Sequence, residues 1–255
     1  MFVLDPNPIA LQLFQFEIRW YGLFAALMAL AGYYLAPYLA KKKYNDTRSY
    51  IYQNGILIAA ISGIIGSRIV HVILDWDKYY NNIWNAFAIW GGGLAFHGGL
   101  LFGVLALYIY AKKEKVPFLQ ITDVTVIPLA LALAVGRIGN IMNSEILGRP
   151  CETCLFSFTF ADGIARYPVQ AYSMLKNFAV AGIAYYLLVK TKTVGLSSVS
   201  FLFFYSVFRF VVEYFRTEPY VILNLSLAQV IMIPVIVGSG IWLYMLISKE
   251  LKLNN

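Results

Sequence analysis

Long apolar runs broken by short polar connections constrain this chain more than any other feature. Seven such runs fall near residues 19–39, 51–74, 92–111, 119–136, 170–189, 196–215 and 227–248. Most approach the roughly 20 residues that a helix needs to cross about 30 Å of hydrocarbon. Helix is the form they must take, because lipid offers no partner to a free backbone amide. Composition agrees: 60% of the 255 residues are apolar, 13% are charged, and the mean hydropathy is +0.67. A soluble domain would carry about 25% charge. The chain is therefore expected to be an all-α polytopic membrane protein with seven transmembrane helices, forming one membrane domain over residues 1–255. The opening MFVLDPNPIA has neither a basic start nor a small-residue cleavage site, so no cleavable signal is expected.

The connections alternate in charge. KKKYNDTR (41–48), KKEK (112–115), KTK (190–192) and the tail KELK (249–252) are basic. The intervening connections hold Asp5, Asp75, Asp77, Glu152, Asp162 and Glu218 with few Lys. The positive-inside rule then places the basic segments in the cytoplasm. The N-terminus faces out and the C-terminus faces in, as an odd number of spans requires. The longest non-membrane stretch, about 143–168, lies outside as a small loop region. Within it, CLFSFTFADG is expected to form a short strand or hairpin before Pro168.

Lys and Arg part company. Ten of the 12 Lys lie in the cytoplasmic connections and tail, with Lys78 and Lys176 the exceptions. Of eight Arg, only Arg48 lies there. Arg19, Arg68, Arg137, Arg149, Arg166, Arg209 and Arg216 fall at the outer side or inside the spans. Guanidinium stays charged and binds phosphate through two parallel hydrogen bonds. A charge within the membrane costs at least about 2.5–3.5 kcal/mol on insertion scales. Two readings follow. Each Arg is held in an internal ion pair, such as Arg137 with Glu145 or Asp123, and Arg209 with Glu213. Or the Arg cluster as a whole builds a phosphate-binding cavity, which is the reading favoured for seven arginines together.

Three polar constellations share one expected depth, toward the outer leaflet. GRIGNIMNSEILGR (136–149) brings Arg137, Asn140, Asn143 and Glu145 to the outer end of the fourth span. FRFVVEYFR (208–216) places Arg209, Glu213 and Arg216 at i, i+4 and i+7, on one helix face. WGGGLAFHGGLLFG (90–103) frames His97 with Gly91, Gly92, Gly93, Gly98, Gly99 and Gly103 near the outer start of the third. Glycines let backbone or ligand come close, and imidazole exchanges a proton near neutrality. His71 lacks such a frame and reads as structural.

Cys151 and Cys154 are spaced CETC. Zinc needs about four ligands, and one Cys pair with two distant His does not supply them. A disulfide or two idle thiols is the preferred reading; no metal and no cofactor are expected, and no nucleic acid as partner.

HGG together with GRIGNIMNSEILGR resembles the signature of the prolipoprotein diacylglyceryl transferase family. The resemblance extends over most of the chain. RWYG (19–22), GSRIVHV (66–72), Asp123 fourteen residues before Arg137, RYPVQAY (166–172), FRFVVEYFR and LSLAQVIMIP (225–234) follow in the family's order. Tyr167 stands where the family usually has His, and is assigned no chemistry. The CETC pair is outside the pattern.

The resemblance implies that the diacylglyceryl group of phosphatidylglycerol is transferred to the lipobox cysteine of a prolipoprotein. A thioether forms and glycerol phosphate leaves. It implies His97, Arg137 and Arg209 as catalytic residues. Tyr21, Asn140, Asn143, Glu145, Gly98, Gly99, Glu213 and Arg216 would bind substrate. The partners would be phosphatidylglycerol, the prolipoprotein signal peptide and the bilayer. The location would be the bacterial plasma membrane, with the site toward the outer leaflet. His97 would act as base on the thiol or only orient the lipid. A seven-span anion or lipid transporter is the alternative, although such folds more often show repeated halves.

Overall fold

The computed structural model describes residues 2–4, 6–14, 16–88 and 92–254. Asp5, Trp90 and Gly91 lie outside the described residues. The long elements are all helical: α1 (Trp20–Tyr44), α2 (Ser49–Leu74), α3 (Phe96–Lys113), α4 (Phe118–Met142), α5 (Val169–Lys190), α6 (Leu196–Glu213) and α7 (Leu227–Asn254). All but α3 are long and apolar enough to cross a membrane by length and composition. The 18 residues of α3 include His97 and the pair Lys112 and Lys113, which dilute its apolar character. The chain is an all-α, multi-pass membrane protein with six to seven long apolar helices.

Helix ends follow the expected spans closely, with one difference that matters. The fourth was expected to stop near 136, but α4 continues to Met142. Arg137 and Asn140 therefore sit on the last turns of a helix rather than in a connection. Basic residues close α1 (Lys41, Lys42, Lys43), α3 (Lys112, Lys113) and α5 (Lys190). Cations there complement the partial negative charge of a helix C-terminus.

Short strands accompany the helices. β1 (Phe2–Val3) runs parallel to β4 (Phe158–Thr159), which pairs antiparallel with β5 (Ala165–Arg166). The β4–β5 hairpin is the one expected from CLFSFTFADG, and it turns through Gly163 at φ 72°. A second hairpin, β2 (Ile9–Leu13) with β3 (Phe16–Arg19), leads straight into α1 and was not anticipated. A third, β6 (Tyr220–Ile222) with β7 (Leu225–Ser226), leads into α7.

The chain forms two compact units, Met1–Ala31 with Thr122–Asn255, and Gly32–Ile121. The second unit is organised by the packing of α2 on α3 through small residues. A Cβ at Gly66 would enter the Phe102 ring, and one at Gly98 would meet the Gly66 carbonyl and Val70. Gly99 faces the Gly63 carbonyl at 3.2 Å and Gly103 the Ala59 carbonyl at 3.1 Å from such a Cβ position. Small residues let membrane helices approach this closely. At its 45–48 corner, Asp46 accepts from Arg48 Nη2 at 2.8 Å and from the Tyr52 hydroxyl at 2.9 Å. Gln120 donates to Tyr52 at 2.8 Å and closes the network.

In the first unit, α6 packs on both α5 and α7. The turn between α5 and α6 is held by two carboxylates. Asp123 of α4 accepts from the backbone amides of Gly195 (2.6 Å) and Ser198 (2.7 Å), and from the Ser198 hydroxyl. Glu250 of α7 accepts from the amides of Lys192 and Thr193 at 2.9 and 2.7 Å. Asp123 thus caps the N-terminus of α6, where a negative charge is favoured. Arg137 does not pair with it, contrary to one of the two partners proposed from sequence.

Outward-facing positions are apolar in both units, for example Leu27, Leu30, Ile61, Ile64, Ile241 and Met245. Such surface belongs against acyl chains, since water would drive it to aggregate.

Candidate phosphate-binding site

The site in the first unit grows from four helices, α1, α4, α5 and α6. Arg137 lies on α4, one turn and a half before its end. Its Nη1 donates to Asn140 Oδ1 at 3.1 Å. Asn140, 8% exposed, passes the link on, donating through Nδ2 to Glu145 Oε2 at 3.1 Å. Asn143 donates to the other oxygen of Glu145 at 3.2 Å. Glu145 therefore reaches Arg137 through Asn140 and not directly. This local chain forms because α4 ends at Met142, and Ser144 and Ile146 turn the backbone through left-handed φ of 53° and 57°.

Arg209 and Arg216 leave α6 and its end on one side. Glu213 lies between them, 3.2 Å from Arg209 Nη2 and 3.0 Å from Arg216 Nη1. Glu218 takes the other nitrogen of Arg216 at 2.7 Å. Glu213 is 3% exposed, and the Ser226 hydroxyl donates to it at 3.3 Å. Gln229 fixes this junction, donating to the Phe210 carbonyl at 3.2 Å and accepting from the Ser226 amide at 2.9 Å. The LSLAQ segment thus locks the start of α7 to the end of α6.

The segment after α4 ties these groups together. Its backbone is laced on one side to the end of α6 and on the other to β5. The Arg149 amide donates to Phe215 and the Thr217 amide to Leu147, while the Tyr167 amide donates to Arg149 and the Cys151 amide to Ala165. The Arg149 side chain donates to the Arg216 carbonyl at 2.9 Å. Gly148 has no room for a side chain: a Cβ would collide with the Tyr167 carbonyl. Gly139 packs against Tyr21, whose ring lies 2.8 Å from where its Cβ would stand. Two of the three glycines therefore serve close packing within the protein. Only Gly136 faces open space.

The Arg137 guanidinium lies within electrostatic reach of Arg209 and Arg216 and of the Tyr21 and Tyr205 hydroxyls. A residue passed over in the sequence joins them. Lys176 of α5 is 7% exposed, donates to Asn177 Oδ1 at 2.7 Å, and stands 4.0 Å from the centre of the Tyr205 ring. It too is within reach of Arg137 and Arg209. Its signal in the sequence was its isolation from the other lysines. One compact site therefore gathers Tyr21, Arg137, Asn140, Asn143, Glu145, Lys176, Arg209, Glu213 and Arg216.

The other arginines are not part of it. Arg68, 8% exposed, donates to the carbonyls of Asn85, Ala86 and Gly92, each at 2.7 Å, and to those of Gly93 and Ala88. It holds a connection, not an anion. Arg166 pairs with Asp162, and Arg19 approaches Glu17 at 3.8 Å. The seven-arginine cluster reduces to Arg137, Arg209 and Arg216. Cys151 and Cys154 are joined as a disulfide.

His97, Gly98 and Gly99 belong to the second unit. His97 is exposed on the first turn of α3, its ring edge-on to Phe96 at 5.8 Å. Gly98 and Gly99 sit in the α2–α3 contact described above. His71 is pinned by Asp75 at 3.5 Å and packs on Tyr79, as a structural histidine should.

The fold and this site define a multi-pass helical membrane protein whose first unit gathers Arg137, Lys176, Arg209 and Arg216, only part-balanced by carboxylates. Residues 8–246 match the prolipoprotein diacylglyceryl transferase family. A phosphatidylglycerol–prolipoprotein diacylglyceryl transferase of Clostridium botulinum (strain Langeland) is 37% identical over 252 residues, 96% of this chain and 98% of that protein. The Clostridioides difficile protein of that name is 34% identical, covering 96% and 97%, and the Finegoldia magna one 33%, covering 91% and 93%. The chain belongs to the prolipoprotein diacylglyceryl transferase family and is a transferase of the membrane.

Proposed function

We propose that the cation nest of the first unit binds the phosphate of phosphatidylglycerol while its diacylglyceryl group passes to a lipobox cysteine. The thiolate sulfur attacks the glyceryl carbon that carries the phosphate. The carbon–sulfur bond forms as the carbon–oxygen bond breaks, and the electron pair leaves with the phosphate oxygen. The headgroup enters with one negative charge and departs as glycerol phosphate with a second. Preorganised guanidinium groups act on charge that develops in the transition state. Arg137 and Arg209 take that role. Arg216 is ion-paired with Glu213 and Glu218 through its two terminal nitrogens and serves to fix Glu213. Asn140, Asn143 and Glu145 orient Arg137, and Tyr21 places its hydroxyl beside the anion.

The observation that carries this reading is that Arg137 touches no carboxylate among the described residues. Its hydrogen-bond partner is the neutral amide of Asn140. A membrane cation is paired by default, so a guanidinium left this way is set for an anion from outside the chain.

His97 is assigned the thiol proton: a free thiol has a pKa of about 8.5 and must ionise to attack. Gly98 and Gly99 support it from the α2–α3 contact. In this reading all seven long helices span, the N-terminus faces out and the C-terminus in, and residues 1–255 work as one catalytic domain. The active site lies toward the outer leaflet, where the secreted substrate arrives. The basic connections support that orientation through the positive-inside rule.

Purified enzyme given phosphatidylglycerol labelled in its glyceryl carbons and a lipobox peptide should yield a labelled thioether. His97→Asn should abolish most transfer while the protein still inserts. Anion or lipid movement across vesicles with no thioether formed would favour the transporter.

A further inference from the structure

Lys176 is not needed by the account above, yet it is the least expected charge in the protein. It lies in the first half of α5, 7% exposed, and no carboxylate contacts it among the described residues. Its ammonium donates to the neutral amide of Asn177 and stands over the Tyr205 ring. Two like charges, Arg137 and Arg209, act on it. Burial, the missing carboxylate and the two like charges make the cation costly, and the Asn177 amide and the Tyr205 ring offset only part of that cost.

Its neighbours on α5 repeat the pattern. Ser173, one turn earlier, and Asn177 are both 0% exposed. Ser173 Oγ and Asn177 Nδ2 find no hydrogen-bond partner among the described residues. Buried polar atoms are almost always satisfied. A cation without an anion, beside two unpartnered polar groups and in reach of two arginines, describes a site built for an anion's oxygens.

We propose that Lys176, with Ser173 and Asn177, binds the phosphate alongside Arg137 and Arg209 and stabilises the second negative charge of the departing glycerol phosphate. This rests on the transfer reading and extends it to α5. Lys176 moves no proton. The electron pair of the broken carbon–oxygen bond stays on the phosphate, and the ammonium lies beside the charge it creates. Tyr205 holds the ammonium through its ring face, a contact favoured when desolvated.

The test uses the full-length enzyme in detergent, with glycerol phosphate as probe and glycerol as neutral control. Glycerol phosphate should raise the melting temperature of the wild type and inhibit transfer. In Lys176→Met the inhibition constant should rise about tenfold or more and kcat should fall by a similar factor, as for loss of one charged hydrogen bond. The melting temperature of the unliganded variant should hold or rise, because an uncompensated charge has gone. Lys176→Arg should restore most of both binding and kcat. A Met variant with wild-type kcat and unchanged inhibition overturns the proposal. So does one that loses melting temperature and activity together, which marks a structural lysine. Wild-type enzyme that binds glycerol phosphate through Lys176 but forms no thioether would defeat the transfer reading and leave the anion site standing.

Discussion

Glu213 accepts the Arg209 guanidinium at 3.2 Å, one turn back along α6, while only 3% of Glu213 is exposed. The same carboxylate holds Arg216 at 3.0 Å, so one buried anion keeps two cations apart. Glu213→Gln should leave both guanidiniums facing each other without their shared counter-charge. Breaking a buried pair from one side costs about 3–5 kcal/mol. Thermal unfolding in detergent should show a clear drop in melting temperature, together with loss of transfer. A variant as stable as wild type would show that Glu213 does not organise the site.

Asn140 stands between Arg137 and Glu145, accepting from one and donating to the other at 3.1 Å each. Asn140→Leu keeps the approximate volume and removes both bonds. A hydrogen bond to a charged group contributes about 1.5–3 kcal/mol, or roughly ten- to a hundredfold in rate. Steady-state kinetics should show that loss mainly in kcat, with the protein still folded. Unchanged kcat would mean Arg137 is oriented by something else.

Gly148 and Gly136 should respond oppositely to alanine. A Cβ at Gly148 meets the Tyr167 carbonyl, whereas nothing lies within 4 Å of one at Gly136. Gly148→Ala should unfold at lower temperature and pull Arg216 out of register, because Gly148 bridges to Arg216. Gly136→Ala, within α4, should be neutral or gain up to about 1 kcal/mol from helix propensity. Equal tolerance at both positions would contradict the packing described.

The Asp46 corner predicts an acid-sensitive element. The Arg48 side chain beside it, helped by the Arg48 amide and the Tyr52 hydroxyl, lowers the Asp46 carboxyl from 3.8 to about 2 against the opposing effect of burial. A depressed carboxyl contributes stability that is present above its unfolded value and lost as pH falls through its folded one. Wild-type enzyme should therefore lose stability from about pH 4 down to about pH 2. Asp46→Asn should be less stable at neutral pH and flatter across that window. Melting curves of both proteins over the window, with parallel slopes, would count against the assignment.

Much of this was legible in the sequence because lipid leaves a chain few choices. A span must be helical and about 20 residues long, so apolar runs mark α1 to α7 to within a few residues. The Arg209–Glu213–Arg216 face was legible for a similar reason: i, i+4 and i+7 on a helix admit one geometry. The β2–β3 hairpin was not, because its turn carries no Gly or Asn and Phe14 instead takes a left-handed φ of 55°. The arginines were over-read for want of acceptors. Arg68 is satisfied by backbone carbonyls, which no residue type advertises. Lys176 stands apart from the other lysines in the sequence, but nothing in its own helix says that α4 and α6 bring Arg137 and Arg209 near it.

On the proposed function the phosphate is held by Arg209, which shares Glu213 with Arg216, and above all by Arg137, which touches no carboxylate among the described residues. That hold is tested most directly by the transfer rate of Arg137→Gln. That change keeps a polar side chain and removes the charge. The account predicts that thioether formation from labelled phosphatidylglycerol falls by about a hundredfold or more, the scale seen when one transition-state donor is lost, while the variant inserts and melts as wild type does. Transfer within a few-fold of wild type would contradict it.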